Sequence, residues 1–192
     1  VSSKMKEYIE EYTETEKVDV IYNGISKKEI QLKNKLSENV NKIKNKENGK
    51  LNIYYAGNIG IMQDLKKILE IFNKDKSLKK TYNIKFIGDG ARKKELCKYS
   101  KNNNLNNVEF LGQMSKKNTL KLLIEDADVL FLNLKNNKLF EMAIPSKLFD
   151  YLLVEKPILI GLKGEIRDVL SDLNSIIYFD DSNLGQKLYL LK

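Results

Sequence analysis

Between residues 51 and 179 short apolar runs alternate with segments of helical periodicity, and this alternation restricts the possible folds more than any other feature. The apolar runs occupy residues 51–57, 82–88, 108–112, 128–134, 157–160 and 175–179. Helical patterns fill the intervals at 63–75, 91–102, 116–125 and 165–172, and another helix is opened by Pro145. In the first of these, Leu65, Ile68, Leu69 and Phe72 recur at the spacing of a one-faced helix, and Ser115 fits the N-cap of the third. Residues 128–134 are almost continuously apolar, as a strand buried on both faces requires. The pattern predicts an α/β fold, a Rossmann-like parallel sheet of about six strands with helices on both faces.

The first fifty residues are less regular. Met5, Tyr8, Ile9 and Tyr12 predict a helix within residues 1–17 that ends in a turn. Residues 18–22 read as a short strand and Asn23-Gly24 as a turn. In residues 25–50, Ile30, Leu32, Leu36, Val40 and Ile43 are loosely periodic, which predicts one exposed helix and a loop.

Sheets of this kind bind ligands in the crevice at the carboxyl ends of their strands. Glycines recur there, at Gly57, Gly60, Gly88, Gly90, Gly112 and Gly161. Gly57-Asn58-Ile59-Gly60 could cradle a phosphate, although it is too short for a dinucleotide fingerprint, and no Walker pattern is present. After Gly88-Asp89-Gly90, Arg92 and two lysines open a helix where acids are usually favoured, an inversion suited to a nearby anion. Gln113-Met114 could offer backbone groups to a planar base. The strongest stretch is Pro145-Ser146-Lys147, because proline suits a first helical turn and unpaired N–H groups point outward there. Asp150 follows one turn later. A cationic helix start with a carboxylate behind it can hold a diphosphate and accept hydrogen bonds from a sugar.

Composition excludes other chemistry. There is no histidine, so no Ser-His-Asp triad, Cys-His pair or histidine-ligated metal can form. The single Cys97 excludes an internal disulfide and a cysteine zinc cluster. No run of about 18 apolar residues is available to span a membrane. No segment resembles a signal peptide, so a cytoplasmic location is expected. The net charge of +8 comes mostly from lysine, a weaker sign of nucleic-acid reading than arginine forks, while attraction to an anionic substrate or membrane surface stays open.

Six stretches together resemble the C-terminal domain of GT-B glycosyltransferases of the retaining group 1 family. They are Tyr22-Asn-Gly-Ile25, Tyr55-Ala-Gly57, Phe86-Ile-Gly-Asp-Gly90, Phe110-Leu-Gly112, Ala127-Asp-Val-Leu-Phe131 and Asp150-Tyr-Leu-Leu-Val-Glu-Lys-Pro157. The Pro145-Ser-Lys147 start and the Gly57 to Gln63 loop resemble a subgroup acting in bacterial surface-polysaccharide assembly, amino-deoxysugar transferases included. The resemblance implies a linker helix at 1–17, a donor-binding domain at 18–192 and an N-terminal acceptor domain absent from this sequence. It implies transfer of a hexosyl or amino-deoxyhexosyl group from a nucleoside diphosphate sugar, without cofactor or metal, in an enzyme that can lie against the inner face of an anionic membrane. An isolated donor domain is expected to bind without turnover, and the sequence is expected to stop soon after the sixth strand, before the helix that crosses back.

By the same resemblance, the ribose carboxylate falls on Asp150. The family's other glutamate falls on Met142, with Glu141 beside it as the candidate catalytic acid. The family's diphosphate arginine and lysine align with Asn58 and Gln63, which moves charge neutralisation to Lys147, Arg92 or the helix dipole. Two other readings remain at this stage: a GT-B sugar-nucleotide epimerase domain, and a non-catalytic nucleotide- or RNA-binding module.

Overall fold

The computed structural model describes residues 2–13, 18–38, 49–180 and 182–191. Two helices, α1 (Ser3–Thr13) and α2 (Lys27–Glu38), precede a regular β/α succession. This runs β1 (Leu51–Ala56), α3 (Lys66–Lys74), α4 (Lys76–Thr81), β2 (Tyr82–Ile87), α5 (Lys93–Asn102), β3 (Val108–Gly112), α6 (Lys116–Asp126) and β4 (Val129–Leu132). Then follow α7 (Lys138–Glu141), α8 (Lys147–Val154), β5 (Ile158–Ile160), α9 (Glu165–Val169), β6 (Ile176–Tyr178) and α10 (Leu184–Tyr189). The six strands form one sheet in the order β3-β2-β1-β4-β5-β6, and every neighbouring pair is parallel.

Side chains alternate across a strand, so one sheet feeds two cores. Ile53, Tyr55, Ile84, Phe86, Phe131 and Leu159 pack against α3, α4, α5 and α10. Tyr54, Ala56, Ile87, Leu130, Leu132 and Ile160 point the other way, against α6, α8 and α9. Leu32 and Leu36 add α2 to that second layer. The α2 helix is therefore partly buried, although the polarity of its sequence suggested an exposed one.

The strand order reverses between β1 and β4, which pair at Ile53↔Val129 and Tyr54↔Leu130. Past this point the Ala56 N–H has left the ladder, and it donates instead to the Tyr151 hydroxyl of α8 at 2.8 Å. The same hydroxyl donates to the Phe131 carbonyl at 3.3 Å. Tyr151 is 1% exposed, so both groups lose a partner without access to water if the hydroxyl is removed. Tyr151→Phe should therefore cost about 1–3 kcal/mol of unfolding free energy. A urea denaturation series checks this, and an unchanged midpoint would show that the bridge contributes nothing.

Several sequence expectations need correction. Residues 18–22 form no strand: Ile21 is 79% exposed, and β3 and β6 close the sheet edges without this segment. Its neighbour Tyr22 instead donates to Glu165 at 2.6 Å. The Glu165 carboxylate also accepts the Ser3 and Lys4 N–H groups, at 2.9 and 3.2 Å, and so satisfies the exposed amides at the start of α1. The turn expected at the end of the first helix, with Val40 and Ile43, lies outside the described residues.

The helix expected over 63–75 begins at Lys66, because Asp64 turns the chain through a positive φ of 47°. A separate helix, α4, follows; its N-terminal amides at Ser77 and Leu78 bond the Asp75 side chain. The helix α10, which follows β6 and buries Leu184 and Leu188, was not anticipated. The short helix α7 was not anticipated either; its four residues start behind Asn137, whose side chain accepts the Leu139 N–H.

Candidate functional site

The strand-end glycines let three loops approach one another. Gly88 N–H donates to Gly112 O at 2.7 Å and Gly57 N–H donates to Ile87 O at 2.8 Å, so the ends of β1, β2 and β3 are drawn together. Beside them, on the face covered by α6 and α8, is a cavity of about 540 Å³. Gly57, Asn58, Gly88 and Asp89 border it from the strand ends, and Gln113 and Met114 from the loop after β3. Lys116, Thr119, Leu120 and Leu123 of α6 form one wall, and Lys147, Asp150, Tyr151 and Leu153 of α8 another. The cavity thus joins an apolar end near Met114, Leu120 and Leu123 to a polar end at the start of α8.

Lys147 occupies that polar end. Its Nζ lies 3.7 Å from the centre of the Tyr55 ring and donates to the Tyr55 hydroxyl. The Tyr55 hydroxyl donates in turn to Asn58 O at 2.6 Å. Gly57 makes room for this side chain, because a Cβ there would stand 2.5 Å from Lys147 Cε. Burial pulls the Lys147 amine down from its ordinary value to about 7, while the charge of Asp150 acts the other way. Among the described residues no carboxylate forms an ion pair with it.

Asp150 stands one turn on. Lys116 Nζ meets its carboxylate at 2.9 Å and also bonds Glu29 of α2, so one lysine ties α2, α6 and α8 together at the cavity rim. Glu29 first, then Asp150, holds the Lys116 amine above its ordinary range.

The remaining candidates are dispersed. The helix expected to open at Pro145 becomes regular only at Lys147, with Ser146 at the N-cap position. Leu148 N–H reaches Pro145 O at 2.9 Å and Phe149 N–H reaches Ser146 O at 3.1 Å, a tighter i to i+3 entry that places proline just ahead of the helix. Ser146 is exposed and makes no capping bond. Gln63 turns inward, its Oε1 accepting the Gly60 N–H at 3.0 Å. Arg92 pairs with Glu95 on its own helix and shares with Gly60 a separate depression. Glu141 ends α7 and lines another depression with Lys135, Asn137 and Lys163, outside the main cavity.

Sequence reasoning missed Tyr55, Lys116 and Tyr151. Lys116 carried a signal, since it opens α6 directly behind the strand-end pair Gln113-Met114. Tyr55 and Tyr151 carried none, because their register on β1 and α8 follows from packing.

A doubly wound parallel sheet with a ligand-sized cavity at its reversing strand ends has the architecture of one nucleotide-binding half of a GT-B enzyme. Residues 37–184 match the model for glycosyl transferases group 1, and the chain belongs to that family. The solved structure of WaaG, a glycosyltransferase involved in lipopolysaccharide biosynthesis, superposes with a TM-score of 0.73 at 15% identity, over 100% of this chain and 52% of WaaG. TarM from S. aureus, solved with UDP, gives 0.68 at 14% identity over 100% of this chain and 36% of TarM. HepE from Anabaena, solved with UDP and glucose, gives 0.62 at 15% identity over 90% of this chain and 46% of HepE. The chain therefore spans about half the length of these proteins or less. No curated protein matches it.

Proposed function

We propose that residues 18–192 form the donor-binding half of a glycosyltransferase, with residues 1–17 as the linker from an acceptor-binding domain. The observation that carries this reading is the cavity itself, which has at one end a lysine that no carboxylate among the described residues pairs with, and an apolar slot at the other. A nucleoside diphosphate sugar matches both ends. Its base would lie against Met114, Leu120 and Leu123 with Gln113 backbone groups in reach, its ribose would meet Asp150, and its diphosphate would meet Lys147 at the positive end of α8.

Glycosyl transfer leaves negative charge on the departing diphosphate. A lysine at the positive end of a helix stabilises that charge; one preorganised donor in such a position is typically worth ~3 kcal/mol. Glu141 lies outside the cavity lining, so the donor half as described supplies binding and leaving-group stabilisation. An acceptor and any base acting on it would come from the other half, and the 192 residues alone should bind donor without turnover. UDP is the favoured diphosphate because TarM and HepE were solved with it. Surface polysaccharide or glycoconjugate synthesis, by an enzyme in the cytoplasm or against its membrane, fits the relatives and the lysine-rich surface. The sugar is a hexose or an amino-deoxyhexose.

Calorimetric titration with UDP, UMP and GDP tests the reading. Saturable UDP binding is expected, at least tenfold tighter than UMP, because the second phosphate meets Lys147. Equal affinity for UMP and UDP would remove the diphosphate from the α8 end. Salt-steep RNA binding without nucleotide binding would favour the basic RNA-associated module.

A further inference from the structure

Lys147 is held in an unusual way for a cation that awaits an anion. Its Nζ rests on the face of Tyr55 and donates to that residue's hydroxyl, whose own proton is committed to Asn58 O. Tyr55 itself is 1% exposed and belongs to β1, so the platform is part of the sheet rather than of a mobile loop. Burial keeps its hydroxyl protonated far above neutral pH, and it can only accept from the amine.

The charged groups around the amine are otherwise engaged. Asp150, on the same helix, is tied to Lys116 of α6 at 2.9 Å. Asp89, which borders the cavity from the loop after β2, is tied to Lys93 at 3.0 Å. Tyr151 of α8 is committed to Ala56 and Phe131. Gly57 presents no side chain to fill the space, since a Cβ there would stand 2.6 Å from Nζ.

We propose that Tyr55 is a positioning residue for Lys147, holding its amine over Gly57 with no carboxylate among the described residues paired to it, so that an incoming diphosphate draws a proton from solvent onto it. The step is a simple protonation: the neutral amine takes one proton from the buffer and becomes the ammonium that pairs with the diphosphate, which itself loses none. The inference rests on the donor-site reading above.

The direction of the pH dependence follows from the amine's value of about 7 in the free chain. Below pH 7 the ammonium is already present, and Lys147 no longer makes affinity depend on pH. Above it, the competent fraction falls about tenfold per pH unit, and apparent Kd rises in proportion. A terminal phosphate has its last ionisation near pH ~6, so UDP itself hardly titrates above pH 7.

The test is calorimetry of UDP, with GDP in parallel, against the 192-residue chain at pH 7, 8 and 9 in buffers of differing ionisation enthalpy. The expected result is a Kd rising about tenfold per unit, with nearly one proton taken up per nucleotide at pH 8. Lys147→Arg, which cannot lose its charge, should give a level profile and no uptake. Tyr55→Phe keeps the buried ring but removes the acceptor, and should move the break in the profile to lower pH. The Lys147 ¹³Cε resonance provides a direct reading, with a midpoint near 7 in the free chain and well above it with nucleotide bound. A level wild-type profile with intact binding, or a Tyr55→Phe break at the wild-type pH, overturns this inference alone. Absence of UDP and GDP binding at pH 7 overturns the donor-site reading beneath it as well.

Discussion

Gly88→Ala should destabilise the chain by more than about 3 kcal/mol, a large share of the stability of an ordinary domain. Two costs combine at this position. The residue sits at φ +130°, where a side chain is strained, and a Cβ would stand 2.0 Å from the backbone oxygen of Gly57. That oxygen cannot swing aside as a side chain would, because Gly57 is fixed by its own hydrogen bond to Ile87. The ends of β1 and β2 would have to separate, at the sheet's centre and beside the cavity. Backbone strain of about 1–3 kcal/mol and overpacking of similar size would then add. Gly112→Ala is the matched comparison: its φ is +77°, but no atom lies within 4 Å of the added carbon. It should show the strain without the collision. Urea unfolding of both variants decides the matter, and equal losses would mean that the close approach of the two loops costs little to relieve.

This contrast also explains what the sequence revealed. The parallel α/β sheet was legible because burial on both faces leaves a mark that needs no partner to interpret, as in Val129 to Leu132, where all four residues are buried. Strand-end glycines were legible for a related reason: a residue that must adopt positive φ or admit a neighbour's backbone is restricted in type. The sequence did not reveal which of those glycines border one cavity. Gly57 and Gly88 border the main cavity, whereas Gly60 looks into the depression that holds Arg92. Arg92 and Gln63 illustrate the limit, since each was a reasonable ligand by position, yet local partners at Glu95 and Gly60 occupy them. Residues 18–22 failed in the opposite sense. Their pattern suits a strand, but Tyr22 is bonded to Glu165, 143 residues away in sequence, a long-range contact that local periodicity cannot encode.

Lys147→Met should weaken UDP binding by about 10- to 100-fold, the value of a charge-assisted hydrogen bond of roughly 1.5–3 kcal/mol. Methionine keeps most of the length and apolar contact over Tyr55, so the loss reports charge rather than packing. The fold should not suffer, and here the sign is informative. A lysine whose amine is held near 7 by burial opposes folding at low pH, where its charge must be desolvated. That penalty is fully present below about pH 7 and fades as pH rises toward the ordinary lysine range, because the unfolded chain binds more protons across this interval. Lys147→Met should therefore be at least as stable as the parent chain, with its advantage larger at pH 6 than at pH 9. Arg92→Gln, which removes a cation outside the cavity, should leave UDP affinity within about twofold. Calorimetry and urea unfolding at the two pH values separate the outcomes. Affinity lost together with stability would make Lys147 a structural residue, while a greater loss in Arg92→Gln would move the diphosphate to the other depression. Only the opposite pairing, weaker binding in a chain no less stable, agrees with a lysine whose burial cost is offset when its anion arrives.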